Sequence, residues 1–140
     1  MAVILGLDLG EKRVGVARSD ETGLIAESVA TVTYRSKEHL LQQLKVFVDE
    51  FQPEKLVVGI PQTLRGEIGF AAKKVLRLVD WLKARLPLEW VFWDERFTTA
   101  EAERILLEAD LSRKKRRGIR DRLAAQRILQ SYLDASKEKE

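Results

Sequence analysis

The sequence contains no cysteine, no asparagine and only one histidine, His39, among its 140 residues. The absence of cysteine excludes disulfides, thiol catalysis and cysteine-ligated zinc or iron–sulfur sites. A single histidine excludes metal sites that need several histidines. No apolar run approaches the roughly 20 residues that a membrane-spanning helix requires. The amino-terminal segment also lacks the basic region that begins a signal peptide. We therefore expect a cytoplasmic protein that makes no membrane contact.

The chain does contain enough apolar material for a packed core. Hydrophobic residues make up 45% of the sequence and charged residues 34%, which is typical of a globular protein. A length of 140 residues corresponds to one ordinary domain. We expect a single domain over residues 1–135, followed by a short charged tail over residues 136–140.

Positive charge is concentrated in one segment near the carboxyl terminus. Between Asp110 and Arg127, eight basic residues accompany two acidic ones, a net charge of +6 against +3 for the whole chain. Such a segment indicates a polyanionic partner, although a solvated charged loop is the alternative for the run by itself. Its candidate phosphate-binding residues are Arg113, Lys114, Lys115, Arg116, Arg117, Arg120 and Arg122.

The first third of the chain predicts strands before any helix. Residues 2–9, 13–18 and 24–33 are short apolar or alternating runs separated by tight turns, which is typical of an antiparallel meander. Ser36 then occupies the N-cap position of a helix whose apolar residues keep a helical spacing to about residue 52.

Later elements alternate between strand and helix. Residues 56–60 and 89–93 predict strands, and a helix follows Gly69 between them. A capping box at Thr98 predicts a third helix, and after a basic loop the last helix runs over about residues 120–135. The order β-β-β-α-β-α-β-α-α indicates an α/β fold, a five-stranded mixed sheet with helices on its faces.

Two acidic sites follow apolar strand residues. Asp8 stands between leucines in the first strand, where an ionised carboxylate is costly unless it is paired or bound to a metal. The alternative is a strand-end aspartate that caps the following turn. Asp94 and Glu95 come directly after the last strand. Adjacent residues of an extended chain point to opposite sides, so only one of these two acids can face a shared site.

Asp121 is the third acidic candidate. It lies three and four residues before Ala124 and Ala125, which begin the apolar stripe of the last helix, so it projects from the core-facing side. The predicted helix start near residue 120 also places it in the first turn, where the helix dipole stabilises a negative charge. A simple role as a dipole partner or N-cap is the alternative.

Three carboxylates on three elements predict a divalent-metal site. Carboxylate ligands without histidine or cysteine select hard cations, so we expect Mg²⁺ or Mn²⁺. Two such ions about 3.5–4 Å apart can activate a water and stabilise the leaving oxygen of a phosphodiester. The basic segment would then hold the nucleic-acid backbone beside the site.

Four motifs, in order along the chain, resemble those of the YqgF family. They are LGLDLGEKRVGVARSD from residue 5, VVGIP from residue 57, DERFTT from residue 94 and DRLAAQRILQSYL from residue 121. Members of that family are described as pre-16S rRNA nucleases or Holliday junction resolvases of bacteria. The resemblance implies an RNase-H-like fold and an endonuclease acting on structured RNA or branched DNA, with ribosomal precursor particles as a partner. It leaves both a monomer and a homodimer open.

The resemblance also implies roles for particular residues. Asp8, Glu95 and Asp121 take the places of the family's catalytic, metal-binding acids, with Asp94 as the alternative to Glu95. Arg13 and Arg96 match motif arginines that contact phosphate or order the carboxylates through salt bridges. The sequence departs from the family pattern at residues 62–66, where a basic QTLRG replaces a polar and acidic loop, and at Phe97, where leucine is usual.

Two other classes of function are consistent with parts of this sequence. The GLDLG turn also resembles the phosphate loop of actin-like and sugar-kinase ATPases, but those proteins need two such domains around a cleft. A non-catalytic nucleic-acid-binding factor would use the basic segment equally well. It would have no reason to place Asp8 and Asp121 toward one site.

Overall fold

A five-stranded mixed sheet forms the centre of the molecule in the computed structural model, which describes residues 2–60, 69–94 and 113–138. Within the last range, side chains are described for residues 123–136. The sheet order is β3-β2-β1-β4-β5, antiparallel from β1 to β3 and parallel from β1 through β4 to β5. The predicted meander and mixed sheet are confirmed. The strands are β1 (Ile4–Leu9), β2 (Arg13–Ser19), β3 (Ala26–Thr33), β4 (Lys55–Ile60) and β5 (Glu89–Asp94).

The helices of the described ranges are α1 (Lys37–Phe51), α2 (Phe70–Lys83) and α3 (Arg113–Glu138). The N-cap of α1 is the predicted one, because the Ser36 hydroxyl accepts a hydrogen bond from the His39 N–H at 3.1 Å. None of these helices has the length and hydropathy needed to cross a membrane.

Helices α1 and α2 cover one face of the sheet. Side chains alternate along a strand, so every second residue of β1 points to this face, beginning with Leu5. The predicted apolar stripe of α2 is buried there, as are the two leucines of α1 at helical spacing. The core contains Leu5, Leu7, Leu9, Leu40, Leu44, Leu56, Val58, Ala72, Val75, Val79 and Leu82, among others.

Helix α3 covers the other face. Its buried stripe packs on small and branched residues of the sheet, in a cluster that includes Ala17, Ala26, Val57, Ala125, Ile128, Leu129 and Leu133. The helix lies directly against the sheet over Gly6. A Cβ atom at that position would lie 2.7 Å from Cβ of Leu129 and 3.2 Å from the carbonyl oxygen of Ala125.

The start of α3 differs from the predicted one. Residues 113–117 belong to the helix, whereas the sequence predicted a loop there. Lysine and arginine are good helix formers, and one glycine within a long helix is tolerated. Asp121 therefore lies more than two turns inside the helix, and the predicted dipole stabilisation in a first turn is wrong. The helix also continues to Glu138, so part of the predicted tail is helical.

Strand β3 begins two residues later than predicted, because a turn holds the preceding chain. The Asp20 carboxylate accepts hydrogen bonds from the Thr22 hydroxyl at 2.7 Å and from the Leu24 and Ile25 N–H groups at 3.3 Å. The Thr22 bond is the main cause that lowers the pKa of Asp20. The predicted loop at 62–66 and the helix predicted to begin at Thr98 lie outside the described residues.

Candidate active site

Asp8 is the next-to-last residue of β1, at the carboxyl end of the strand. Its neighbours Leu7 and Leu9 belong to the core beneath α1 and α2. Alternation therefore places the Asp8 side chain on the α3 face, together with Gly6. The side chain is half-buried. A carboxylate thus lies at the edge of the sheet where β1, β4 and β5 all end.

Glycines flank Asp8 on both neighbouring strands. Gly15 of β2 is its partner in the antiparallel ladder. On β4, Gly59 follows Val58, which is paired with Leu7. Because glycine has no side chain, neither neighbouring strand places a side chain beside Asp8 at these two positions.

Asp94 ends β5 on the other face of the sheet. Trp93 packs in the α3 cluster, whereas Trp90 belongs to the core beneath α1 and α2. Alternation places Asp94 with Trp90, away from the face that carries Asp8. Asp94 is exposed, and Glu95 lies outside the described residues. Both tryptophans pack on the sheet, as the strand pattern predicted.

Two hydrogen bonds fix the carboxyl-terminal half of α3 near the beginning of β1. The Gln130 side chain accepts from the Ala26 N–H at 2.8 Å and donates to the Leu24 carbonyl at 2.9 Å. Ala26 pairs with Ser19, whose hydroxyl in turn accepts from the Ile4 N–H at 2.9 Å. This part of the helix therefore lies over the end of the sheet where β1 starts.

A third contact and the close approach at Gly6 give the direction of α3. Lys55, at the start of β4, donates to the Tyr132 hydroxyl at 3.3 Å, and this bond raises the pKa of Lys55. Ala125 and Leu129, earlier in the helix, lie over Gly6. Followed from Tyr132 back to Ala125, α3 therefore runs from the start of β1 toward the carboxyl end of that strand.

The backbone of α3 includes Asp121, but its side chain lies outside the described part of the chain. Asp121 precedes Ala125 by one helical turn and shares a helix face with it by spacing. The same holds for the predicted phosphate-binding residues, whose backbones form the first three turns while their side chains are not described. These are Arg113, Lys114, Lys115, Arg116, Arg117, Arg120 and Arg122.

Arg13 opens β2 directly after the turn that follows Asp8. The carbonyl oxygen of Arg13 accepts a hydrogen bond from the Gly10 N–H at 3.0 Å, which closes the turn. Alternation with Gly15 places the half-buried Arg13 side chain on the same face as Asp8. The other motif arginine, Arg96, lies outside the described residues.

A cavity of about 690 Å³, here called the α2 cavity, opens at the carboxyl edge of the sheet. The ends of β1 and β4 and the turn after β1 form one wall, which includes Asp8 and Glu11. Helix α2 forms the opposite wall and contributes Lys74 and Arg77. The cavity is lined by Asp8, Leu9, Gly10, Glu11, Tyr34, Gly59, Ala71, Lys74, Val75, Arg77 and Leu78.

The basic surface of α2 was not predicted from the sequence. This helix carries four basic residues, Lys73, Lys74, Arg77 and Lys83, against one acidic residue, Asp80. Outside residues 110–127 the chain has a net charge of −3, so the charges of α2 are hidden in the balance of that part of the sequence. The signal that could have revealed them is the spacing of Lys73, Lys74 and Arg77 on the polar side of an amphipathic helix.

Of the three predicted metal ligands, only Asp8 has a described side chain. Among the side chains that the structure describes, no three from histidine, cysteine, aspartate and glutamate come together closely enough to hold a metal ion. The described part of the site therefore contains one acid of the predicted set, with glycines on both neighbouring strands and a cationic wall across the α2 cavity.

Comparison with families of known proteins gives one match over almost the whole chain. The family model described as "RuvX: Holliday junction resolvase" matches residues 2–135. A protein of Thermoanaerobacter pseudethanolicus named "Putative pre-16S rRNA nuclease" is 42% identical over 137 residues, which cover 97% of this chain and 99% of that protein. A protein of Halothermothrix orenii with the same name is 42% identical over 131 residues, 94% of each chain.

Solved structures show a likeness of fold at low sequence identity. RuvC of Thermus thermophilus in complex with a Holliday junction substrate has a TM-score of 0.59 at 14% identity, covering 98% of this chain and 96% of that one. The Fowlpox virus resolvase in complex with Holliday junction DNA has a TM-score of 0.58 at 10% identity, covering 96% and 98%. The RNase-H-like fold that the motifs implied is confirmed.

Proposed function

Because this chain belongs to the RuvX family, we propose that it is a divalent-metal-dependent endonuclease that hydrolyses phosphodiester bonds in structured RNA. The relatives' name supports the 5′ end of pre-16S rRNA as the site of cleavage. Ribosomal precursor particles in the bacterial cytoplasm would then carry the substrate. The observation that carries this proposal is Asp8, a half-buried carboxylate at the open carboxyl edge of the sheet.

The position of Asp8 suits a ligand for a hard cation. An ionised carboxylate that is partly buried is stabilised by a cation or by strong hydrogen bonds. The glycines on β2 and β4 add no side chain next to it that would compete with an ion or a phosphate oxygen. Since the chain has one histidine and no cysteine, oxygen ligands and Mg²⁺ or Mn²⁺ fit this site best.

The direction of α3 supports Asp121 as a second ligand. Going back one turn from Ala125 advances the helix by about 5.4 Å toward the carboxyl end of β1. Going from Gly6 to Asp8 advances β1 by about 6.6 Å in the same direction. Asp121 therefore reaches a height on the sheet similar to that of Asp8.

The register of β5 favours Glu95 over Asp94 as the third ligand. Asp94 is placed on the face opposite to Asp8. In an extended chain the following residue returns to the Asp8 face. Glutamate also has a longer side chain, which suits a residue that has to reach back toward the end of β1.

The chemistry divides between the acids and the basic residues. When bound, divalent ions polarise a phosphoryl oxygen and make water a nucleophile at neutral pH. Asp8, Glu95 and Asp121 would hold these ions. Arg13, on the same face as Asp8, and Arg96 would bind and orient the phosphate. The basic residues that begin α3 would hold the backbone on one side of the cleavage site.

The test is cleavage of a labelled 5′ leader of an rRNA precursor with Mg²⁺ or Mn²⁺, and with EDTA. We expect metal-dependent cleavage that Asp8→Asn reduces at least about a hundredfold, because the substitution removes charge at the reacting centre and keeps the shape. Glu95→Gln should cause a comparable loss, whereas Asp94→Asn should not.

Asp49→Asn on the exposed surface of α1 is the matched control, since this end of α1 leads to the start of β4, at the end of the sheet opposite to Asp8. Thermal melting by circular dichroism shows whether each variant is folded. Cleavage by a folded Asp8→Asn protein at the wild-type rate would contradict the proposed site.

A four-way DNA junction is the second candidate substrate. The description of the family model favours it, as a resolvase of such junctions. Running the junction beside the RNA leader separates the two possibilities. Cleavage of the junction alone identifies a resolvase, and metal-independent binding of both without cleavage identifies a nucleic-acid-binding factor.

A further inference from the structure

The wall of the α2 cavity opposite Asp8 is cationic and belongs to a different element from the basic residues of α3. Lys74 and Arg77 are one turn apart on α2, and both line the cavity. Lys74 also lies 3.5 Å from the Glu11 carboxylate. The side chains of this pair are 51% and 80% exposed, so the ion pair is weak and a phosphate oxygen can replace Glu11.

Phe70 adds an aromatic surface beside this wall. It is the first residue of α2, one position before Ala71 and one turn before Lys74, which both line the cavity. Its side chain is 73% exposed, the largest exposure among the large hydrophobic residues described. The Lys74 ammonium lies 4.7 Å from the centre of its ring. An exposed ring beside a cation is the arrangement on which nucleic-acid bases stack.

We propose that the α2 cavity binds unpaired nucleotides next to the phosphate that is cleaved. The position of that phosphate rests on the proposed nuclease function. Lys74 and Arg77 contact the phosphates, and Phe70 stacks on a base. The volume of about 690 Å³ is that of a pocket for a small ligand, so it accepts nucleotides turned out of a helix. Bases inside a duplex do not present their faces to a protein ring.

This arrangement gives the enzyme a preference for single-stranded segments. The basic start of α3 can hold a duplex or a single strand, because phosphates are common to both. The α2 cavity distinguishes them, because only an unpaired base can reach Phe70. Substrate is therefore held on two sides of Asp8, and cleavage is directed to a site where the strand is unpaired.

The test measures binding in EDTA, so that no cleavage occurs. A fluorescein-labelled 12-nucleotide RNA and a duplex of the same sequence are titrated with the full chain by anisotropy at several salt concentrations. The variants are Lys74→Ala with Arg77→Ala, and Phe70→Ala. Lys73→Ala with Lys83→Ala is the matched control, since these exposed lysines of the same helix do not line the cavity.

We expect Lys74→Ala with Arg77→Ala to weaken single-strand binding about tenfold and to reduce the slope of log K against log salt by about 1.4, because two phosphates are no longer neutralised. Phe70→Ala should weaken it about five- to 150-fold with an unchanged slope. Phe70→Leu keeps apolar area without an aromatic face, and it should resemble Phe70→Ala. The affinity for the single strand should change less than threefold in the control pair. The affinity for the duplex should change less than threefold in every variant.

Three results would overturn the proposal. They are an equal loss with the control pair, an equal loss on the duplex, and no binding of the single strand by the wild-type chain. Because binding is measured without metal, the outcome is separate from the nuclease assay. If the chain shows these binding effects but cleaves nothing, the proposed role of the α2 cavity is supported and the proposed nuclease function is contradicted.

Discussion

Gly6 decides how closely the helix that carries Asp121 can approach the strand that carries Asp8. The space for a side chain is already filled by the backbone and Cβ of α3, at 2.7 Å from Leu129 and 3.2 Å from Ala125. A Cβ atom attached to a helix backbone cannot rotate away, so an added methyl group must displace the helix. The site between α3 and β1 therefore depends on a glycine that carries no functional group.

Gly6→Ala should lower the free energy of unfolding by about 1–3 kcal/mol, the usual cost of overfilling a packed interface. Urea denaturation followed by circular dichroism measures this change. Gly6→Val should cost more, because its branched side chain needs a larger displacement. Cleavage should fall further than stability alone explains, since the shift moves α3 relative to Asp8. A midpoint equal to that of the wild type would show that α3 does not pack this closely.

At the scale of elements, α3 is held to the sheet by glutamine side chains that complete the hydrogen bonds of β3. Gln130 bonds the Ala26 N–H, and Gln126 donates to the Ala26 carbonyl at 3.0 Å. Ala26 is buried, so its backbone groups have no access to water when these bonds are removed. The end of β3 and the register of α3 therefore stabilise each other.

Gln130→Ala should lower the free energy of unfolding by about 1–3 kcal/mol, because it leaves a buried N–H without an acceptor. Gln42→Ala, an exposed glutamine of α1, makes the same change at a site where water replaces the side chain. Hydrogen exchange should also accelerate at the Ala26 amide in the Gln130 variant. Equal unfolding midpoints for the two variants would show that the Gln130 bonds add nothing to stability.

The sheet and the first two helices could be predicted from the sequence because each has a local signal. Alternation marks the strands, and the Ser36 cap and leucine spacing mark α1. The start of α3 could not be predicted in this way, since residues 113–118 combine helix-forming side chains with a glycine and with charges that repel one another. The apolar residues around Ile128, later in the same helix, pack on the sheet and so stabilise a helix that includes residues 113–118. That packing depends on the fold and cannot be inferred from the sequence of residues 113–118.

The candidate site divides in the same way. Asp8 is recognisable from the sequence because a carboxylate inside an apolar strand is unusual. The sequence alone leaves Asp94 and Glu95 as alternatives. The faces on which Trp90 and Trp93 pack, which place Asp94 opposite to Asp8, are a property of the assembled sheet. The α2 cavity needed the fold as well, since Asp8 and Lys74 are far apart in the chain and line one cavity only when α2 packs on the sheet.

For the whole molecule, the distribution of charge matters more than its sum. The net charge of +3 is small, yet α2 and the start of α3 each present a basic helix. The two surfaces have different expected roles. Residues 113–117 would attract any nucleic-acid backbone, whereas the α2 cavity selects for unpaired bases.

Replacing the five basic residues from Arg113 to Arg117 with glutamine tests the first of these roles. Glutamine has a helix propensity close to that of lysine and arginine, so α3 should keep its backbone. Affinity should fall for single strands and duplexes alike. The salt slope should fall by about 0.7–0.9 for each phosphate that is no longer neutralised, as measured by anisotropy in EDTA.

Lys45→Gln with Lys83→Gln is the control, because it lowers net charge at exposed positions of α1 and α2 outside residues 113–117 and outside the lining of the α2 cavity. If the loss of affinity per charge is the same in this control, the chain attracts nucleic acid by its total charge and α3 has no particular role. A loss for duplexes that spares single strands would assign α3 to paired regions. If the two surfaces have separate roles, affinity should fall for both single strands and duplexes. The preference for unpaired bases, which depends on Phe70, should be retained.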